Sequence, residues 1–143
     1  MKVGLDANLS RRLVDAMNAI HGRDDQFVQV GAGPAHSDAP WITAFSNDGG
    51  QVLIGADQAI LKRPFEVEAL SDSGLHAFFL GYGKANPKGY VIASFLIWWW
   101  PEFRRRVGGP HKVFRTKPMN WDYGSLEALT IIDNNGIRRV QRT

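Results

Sequence analysis

Three aspartates stand where short apolar runs end or helical patterns begin. Asp6 closes Lys2-Val3-Gly4-Leu5-Asp6, Asp38 precedes Ala39-Pro40-Trp41-Ile42, and Asp57 follows Gln51-Val52-Leu53-Ile54-Gly55. Carboxylates brought close together repel one another, and at least one takes up a proton unless a cation lies between them. Hard divalent ions, Mg²⁺ or Mn²⁺, suit all-oxygen ligands and bridge readily to phosphate. An ion held in this way activates water and stabilises charge on phosphoryl oxygens. Taken singly, each aspartate has a plainer explanation: Asp38 caps a helix and Asp57 occupies a turn.

The elements that would position these acids alternate. Lys2–Asp6 reads as a first strand. Ser10 is a helix N-cap, and Leu13, Met17 and Ile20 recur at helical spacing until Gly22, where a left-handed cap is expected. Phe27–Val30 is a second strand, with Gly31–Pro34 a loop after it. Ser37 or Asp38 caps a second helix, which carries Pro40 in its first turn and stops at Gly49-Gly50. Gln51–Gly55 is apolar enough for a buried parallel strand. A short helical stretch from Gln58 is broken or restarted at Pro64, and His76–Leu80 is a fourth strand. This order predicts an α/β fold with a central, mostly parallel sheet and helices on its faces. In such sheets chemistry gathers at the carboxyl ends of the strands.

Beyond Pro87 the pattern changes. Residues 89–107 read as one long helix, apolar nearly all round, with Pro101 expected to kink or interrupt it. Lys112–Arg115 and Leu129–Ile132 are apolar runs, and Asp133-Asn134-Asn135-Gly136 is a tight-turn signal leading into Ile137–Val140. We expect a single domain over 1–143, with a core at 1–83 and a small C-terminal helix and β-hairpin extension at 84–143.

Charge is divided unevenly between these parts. The 143 residues carry a net charge of +3. Residues 1–83 hold six Lys+Arg against ten Asp+Glu, a balance of −4; residues 84–143 hold eleven against four, a balance of +7. That division fits a protein that gathers metal in one place and phosphate in another, and it fits an uneven solvated surface equally well. Arg104-Arg105-Arg106, Arg115, Lys117, and Lys62-Arg63 beside Asp57 are the candidate phosphate contacts. The absence of cysteine excludes disulfides and thiolate metal sites. His21, His36, His76 and His111 lack ligand spacing, and Gly31-Ala32-Gly33 lacks the Lys-Ser/Thr of a P-loop. The longest apolar run, Tyr90–Trp100, is too short to span a bilayer, and the opening residues contain no signal-peptide pattern, so we expect a cytoplasmic protein without a membrane partner.

The stretch Val3-Gly4-Leu5-Asp6-Ala7-Asn8 resembles the opening of PIN domains. Asp38-x-x-Trp41-Ile42-x-Ala44 followed by Gly49-Gly50-x-Val52-Leu53-Ile54-x-x-Asp57 resembles their second half. The resemblance covers roughly residues 2–82, and within that family the chain looks like the compact VapC-type toxins. It implies a PIN-like three-layer fold and a Mg²⁺- or Mn²⁺-dependent endoribonuclease, with RNA as substrate and an antitoxin as protein partner. Asp6, Asp38 and Asp57 carry over as catalytic metal ligands, and Asn8 as the residue that fixes the first carboxylate. PIN domains usually have a further acid on a helix between the first and second of these. Here the candidates, Asp24 and Asp25, lie in a loop. That departure keeps open an alternative: a non-catalytic PIN-like module that binds RNA or a protein partner. Trp98-Trp99-Trp100 must point in different directions on one helix. They are expected to divide between core packing and a dimer or antitoxin surface rather than to stack on bases.

Overall fold

The computed structural model describes residues 1–31, 39–56, 58–82 and 87–143. Lys2–Asp6 forms β1, buried from Val3 onward as a strand covered on both faces must be. Ser10 then turns the chain into α1, Arg11–His21, its hydroxyl accepting the Arg12 N–H at 3.1 Å. That bond satisfies one of the amides a helix start leaves without a partner. Leu13, Val14 and Met17 form the buried stripe. Gly22 ends α1, but with φ −68° and ψ −4° it is right-handed rather than left-handed, and its N–H donates to the Asn18 carbonyl. A Cβ at Gly22 would lie 2.1 Å from that oxygen, so the position needs glycine for close approach and not for handedness.

β2 (Gln26–Val30), α2 (Ala39–Asn47) and β3 (Val52–Gly55) follow. After them come a 3-10 turn at Gln58–Lys62, α3 (Pro64–Ser73) and β4 (His76–Phe79). Pro40 and Pro64 both lie in the first turn of their helices, where a missing N–H costs nothing. The chain then forms α4 (Gly89–Arg106), β5 (Val113–Arg115), a 3-10 turn at Tyr123–Ser125, β6 (Glu127–Asn134) and β7 (Ile137–Arg142). α4 runs through Pro101 as one helix, where the sequence pattern predicts a kink or a break.

All seven strands share one sheet in the order β2-β1-β3-β4-β5-β6-β7. β2 through β5 in that order are parallel, and β6 and β7 close the sheet antiparallel. Strand alternation sorts the core into two layers. Val52, Ile54 and Phe78 join α1 and α4 on one face. Leu53, Ala77 and Phe79 join α2 and α3 on the other. The result is a three-layer α/β fold with a mostly parallel sheet.

The tail contributes more than a hairpin. Phe95, Leu96, Trp99, Trp100 and Phe103 of α4 are buried in the same cluster as Val3 and Leu5, and β5 is a further parallel strand beside β4. The β6–β7 turn behaves as its residues demand, with Asn135 at φ 55° and Gly136 at φ 80°. Among the described residues no helix is long and apolar enough to cross a membrane.

Candidate functional site

β1 is followed in the sheet by β2 on one side and β3 on the other. The chain reverses direction across the sheet at that point, which opens a crevice beyond the carboxyl ends of β1 and β3. Asp6 is the last residue of β1 and lies at that crevice, only 5% exposed and in register with Val30 of β2. The Asn8 N–H donates to Asp6 Oδ1 at 3.1 Å, and the Leu9 N–H donates to the Asp6 carbonyl at 2.7 Å. These bonds fold residues 6–9 into a tight turn and hold the carboxylate from below. The contact to Asp6 comes from the main chain of Asn8, whose side chain is exposed. Gly55 ends β3 directly opposite; a Cβ there would stand 3.8 Å from Asp6 Oδ2.

Asp38 and Asp57, the other two expected ligands, lie outside the described residues. The described chain resumes at Ala39, the first residue of α2, and Ala56 follows the last residue of β3. Among the described residues no group of three acidic or histidine side chains could hold a metal ion. The donor chemistry of Asp6 fits a hard cation: a carboxylate buried at a strand end and already accepting a backbone N–H has its position fixed before any ligand arrives.

A family model described as PIN like domain matches residues 1–82. The chain belongs to the PIN-like domain family. The matched stretch takes in β1 through β4 with α1, α2 and α3, and so contains the crevice and all three aspartates. PIN domains are generally nucleases, and the architecture seen here is of that nuclease type. No curated protein and no solved structure matches the chain.

The remaining candidates do not gather around Asp6 in this PIN-like domain. α4 runs from the carboxyl edge of the sheet back to its amino edge, and so carries Arg104, Arg105 and Arg106 away from the crevice. Arg104 Nε donates to Asp25 Oδ2 at 2.9 Å. Arg105 Nη2 and Arg106 Nε both donate to Glu102 Oε1, at 2.6 and 2.9 Å. Asp25 is buried at the start of β2, where it also receives the Met1 ammonium at 3.1 Å and the Trp100 indole N–H at 3.1 Å. Burial alone pushes its carboxyl up, but the hydrogen bonds from the ammonium, Arg104 and Trp100 outweigh that and leave it below the ordinary range. Asp25 is therefore a structural charge and not the additional ligand. Asp24 is exposed beside it. Lys62 faces a cleft between α3 and β7 that Arg138 and Arg139 also line, and Arg63 Nη1 lies 3.9 Å from Glu66 Oε1.

Two of the candidate phosphate contacts, Arg115 and Lys117, do reach the carboxyl edge. They line a cleft of about 610 Å³ with Arg142, Glu127, Ala56 and Tyr82. Arg115 Nε donates to Glu127 Oε2 at 2.6 Å, and that bond holds the Glu127 carboxyl below its usual range. On the other side of Tyr82 lies a second cleft of about 610 Å³, between the starts of α1 and α4, reached by Asn8, Ala56 and Tyr90. The Tyr82 hydroxyl is buried without a hydrogen-bond partner among the described residues, and burial pushes its pKa upward. Leaving such a group unsatisfied costs about 1–3 kcal/mol. Tyr82 and Arg142 carry no motif, so only their place in the fold marks them.

The three tryptophans divide as their spacing requires. Trp99 and Trp100 are fully buried, Trp98 is half exposed, and their indole N–H groups donate to Asn120 O, Asp25 Oδ2 and Trp121 O respectively.

Proposed function

We propose that this PIN-like protein is a metal-dependent endoribonuclease that hydrolyses RNA phosphodiester bonds in the cytoplasm, as the toxin of a toxin–antitoxin pair. The observation that carries the proposal is the buried Asp6 carboxylate at the point where the sheet's strand order reverses. Asp38, just before α2 in the chain, and Asp57, two residues after β3, complete the proposed ligand set. Mg²⁺ or Mn²⁺ held there would polarise the phosphoryl oxygens and supply a water nucleophile near neutral pH. The protein's own part is to fix Asp6 through the Asn8 N–H, to leave the space beside Asp6 at Gly55 without a side chain, and to bring basic side chains to the same edge. Cleavage of a broad RNA panel, with and without metal, tests this. Asp6→Asn and Asp57→Asn variants should lose at least 10–100-fold in rate, roughly the cost of disturbing a group that merely orients a metal ligand. Variants that cut as fast as the parent would remove the assignment.

The toxin role is supported by Trp98 and Trp121, half-exposed neighbours on the outer side of α4 that offer an antitoxin or a second copy an aromatic surface. Induction without growth arrest, together with no co-purifying neighbouring gene product, would count against it.

A second reading is favoured by Asp25. The nearest candidate for a further acid is engaged at the opposite end of the sheet, which suits a non-catalytic module binding RNA or a protein. Calorimetry separates the two: RNA binding with no heat of Mn²⁺ binding at millimolar concentration selects the module.

A further inference from the structure

The two clefts at the carboxyl edge adjoin through Ala56 and Tyr82, which line both. Their chemistry differs. The first has apolar walls from Leu9, Leu13, Ile92 and Ala93, with Tyr90 at its mouth, 70% exposed. Among the described residues the second sets three cations, Arg115, Lys117 and Arg142, against one carboxylate, Glu127, a balance of +2. Its floor is pinned by three hydrogen bonds. Thr116 N–H donates to Phe79 O at 3.0 Å, Gly81 N–H to Thr116 Oγ1 at 2.7 Å, and Met119 N–H to Gly81 O at 3.0 Å.

We propose that these clefts form one track for single-stranded nucleic acid, seating an unstacked base beside Tyr90 and the adjoining backbone phosphate among Arg115, Lys117 and Arg142. The proposal deepens the nuclease reading and rests on it for the class of ligand. A flat aromatic at the mouth of an apolar cleft stacks on any base, whereas a paired base in a duplex is not free to turn aside into it. Cations on a fixed floor hold a phosphate without reading sequence. Arg115 engages Glu127 through Nε, and a guanidinium has further N–H donors to offer. Tyr82, in the wall shared by both clefts, has a buried hydroxyl that a bound nucleotide would satisfy.

The test is fluorescence anisotropy of the whole protein with a labelled mixed-sequence RNA decamer, single-stranded or annealed, in EDTA so that no strand is cut. The single strand should bind better than the duplex. Tyr90→Ala should weaken its binding about tenfold, the scale of one lost base–aromatic stack, with the salt dependence unchanged. Lys117→Ala and Arg142→Ala should each flatten the slope of log K against log salt by about 0.7, one phosphate contact on a single strand. Tyr82→Phe should weaken binding without altering that slope. These positions other than Tyr82 are largely exposed, so thermal melts of their variants should match the parent. Parent-like affinity in Tyr90→Ala, parent-like slopes in both cation variants, a preference for duplex, or no RNA binding at all would each overturn the proposal. A parent that cuts RNA while these variants bind like it keeps the nuclease and loses the track. A parent that shows these variant effects but cuts nothing keeps the track and loses the nuclease.

Discussion

Asp6 and Asp25 are both buried carboxylates, 5% and 4% exposed, and they sit at opposite ends of the β1–β2 pair. Asp6 is in register with Val30, while Asp25 immediately precedes Gln26, the partner of Lys2. Four residues of parallel strand separate those two pairings, roughly 13 Å. At the amino end the acid is surrounded by an ammonium, a guanidinium and an indole N–H. At the carboxyl end Asp6 accepts a backbone N–H in a tight turn. The sheet thus separates the two buried carboxylates, and the one at the amino end is a charge that holds the fold together.

Asp25→Asn should destabilise the protein by about 1–3 kcal/mol, the cost of leaving buried polar groups poorly partnered. RNA cleavage at low temperature should be unchanged. Because the folded Asp25 carboxyl lies below the ordinary 3.8 of an aspartate, the stability it contributes is present above that value. It is lost as pH falls through the still lower folded value. Denaturant melts of parent and variant should differ at pH 7 and converge in strong acid. A constant gap down to the most acidic pH would contradict the role assigned to Asp25.

His76 predicts a second pH dependence, nearer neutrality. Its Nε2 accepts the Gly108 N–H at 3.2 Å, and burial, with Lys112 nearby, lowers its pKa below 6.5. The unfolded chain therefore binds the proton first. Stability should be full above about 6.5 and should decline as pH falls from there toward the lower folded value. His76→Gln should flatten that portion of the stability profile; a profile with the parent's shape would show another group to be responsible.

Gly81→Ala should disturb the basic cleft more than the fold. A Cβ there would lie 2.5 Å from the Thr116 carbonyl, against main chain that has little room to move. Overpacking of this kind costs about 1–3 kcal/mol. Affinity for single-stranded RNA should fall more steeply than thermal stability, and equal affinity in parent and variant would show that the 116–119 segment does not shape the cleft.

Arg105→Ala combined with Arg106→Ala should leave both RNA affinity and its salt slope at the parent's values. These side chains bond to Glu102 at the end of the sheet remote from Asp6. A flattened slope in the double variant would bring the arginine run back into the binding surface.

Much of this architecture was legible because residue periods change with the element. Leu13 and Met17 at helical spacing and the unbroken apolar Val52–Gly55 mark elements that the structure contains. Asp6 at a strand end was legible for the same reason. The arginine run was harder to place, since a charge cluster looks the same at either end of a helix. Alternation settles it: a helix following β4 must return to the amino edge, and that takes Arg106 with it. Arg115 and Lys117, just past the next parallel strand, belong at the carboxyl edge by the same rule. Gly22 was misjudged because a left-handed cap and a close approach to a carbonyl both ask for glycine. β5 was underestimated because a strand of three residues, Val113–Arg115, is too short to show a period. Tyr82 and Arg142 could be found only once distant segments met.

The indoles of α4 have a practical consequence. Trp99 and Trp100 are sealed in the core, and Trp98 and Trp121 pack beside them with Tyr123 close to Trp98 and Trp99. Four of the chain's five tryptophans therefore report on the docking of one helix. Intrinsic emission should shift to longer wavelength when that helix leaves the sheet, giving an optical readout of its detachment without any added label. Trp41, on α2 and packed against Gly31, is the exception, and its emission would sense the other face.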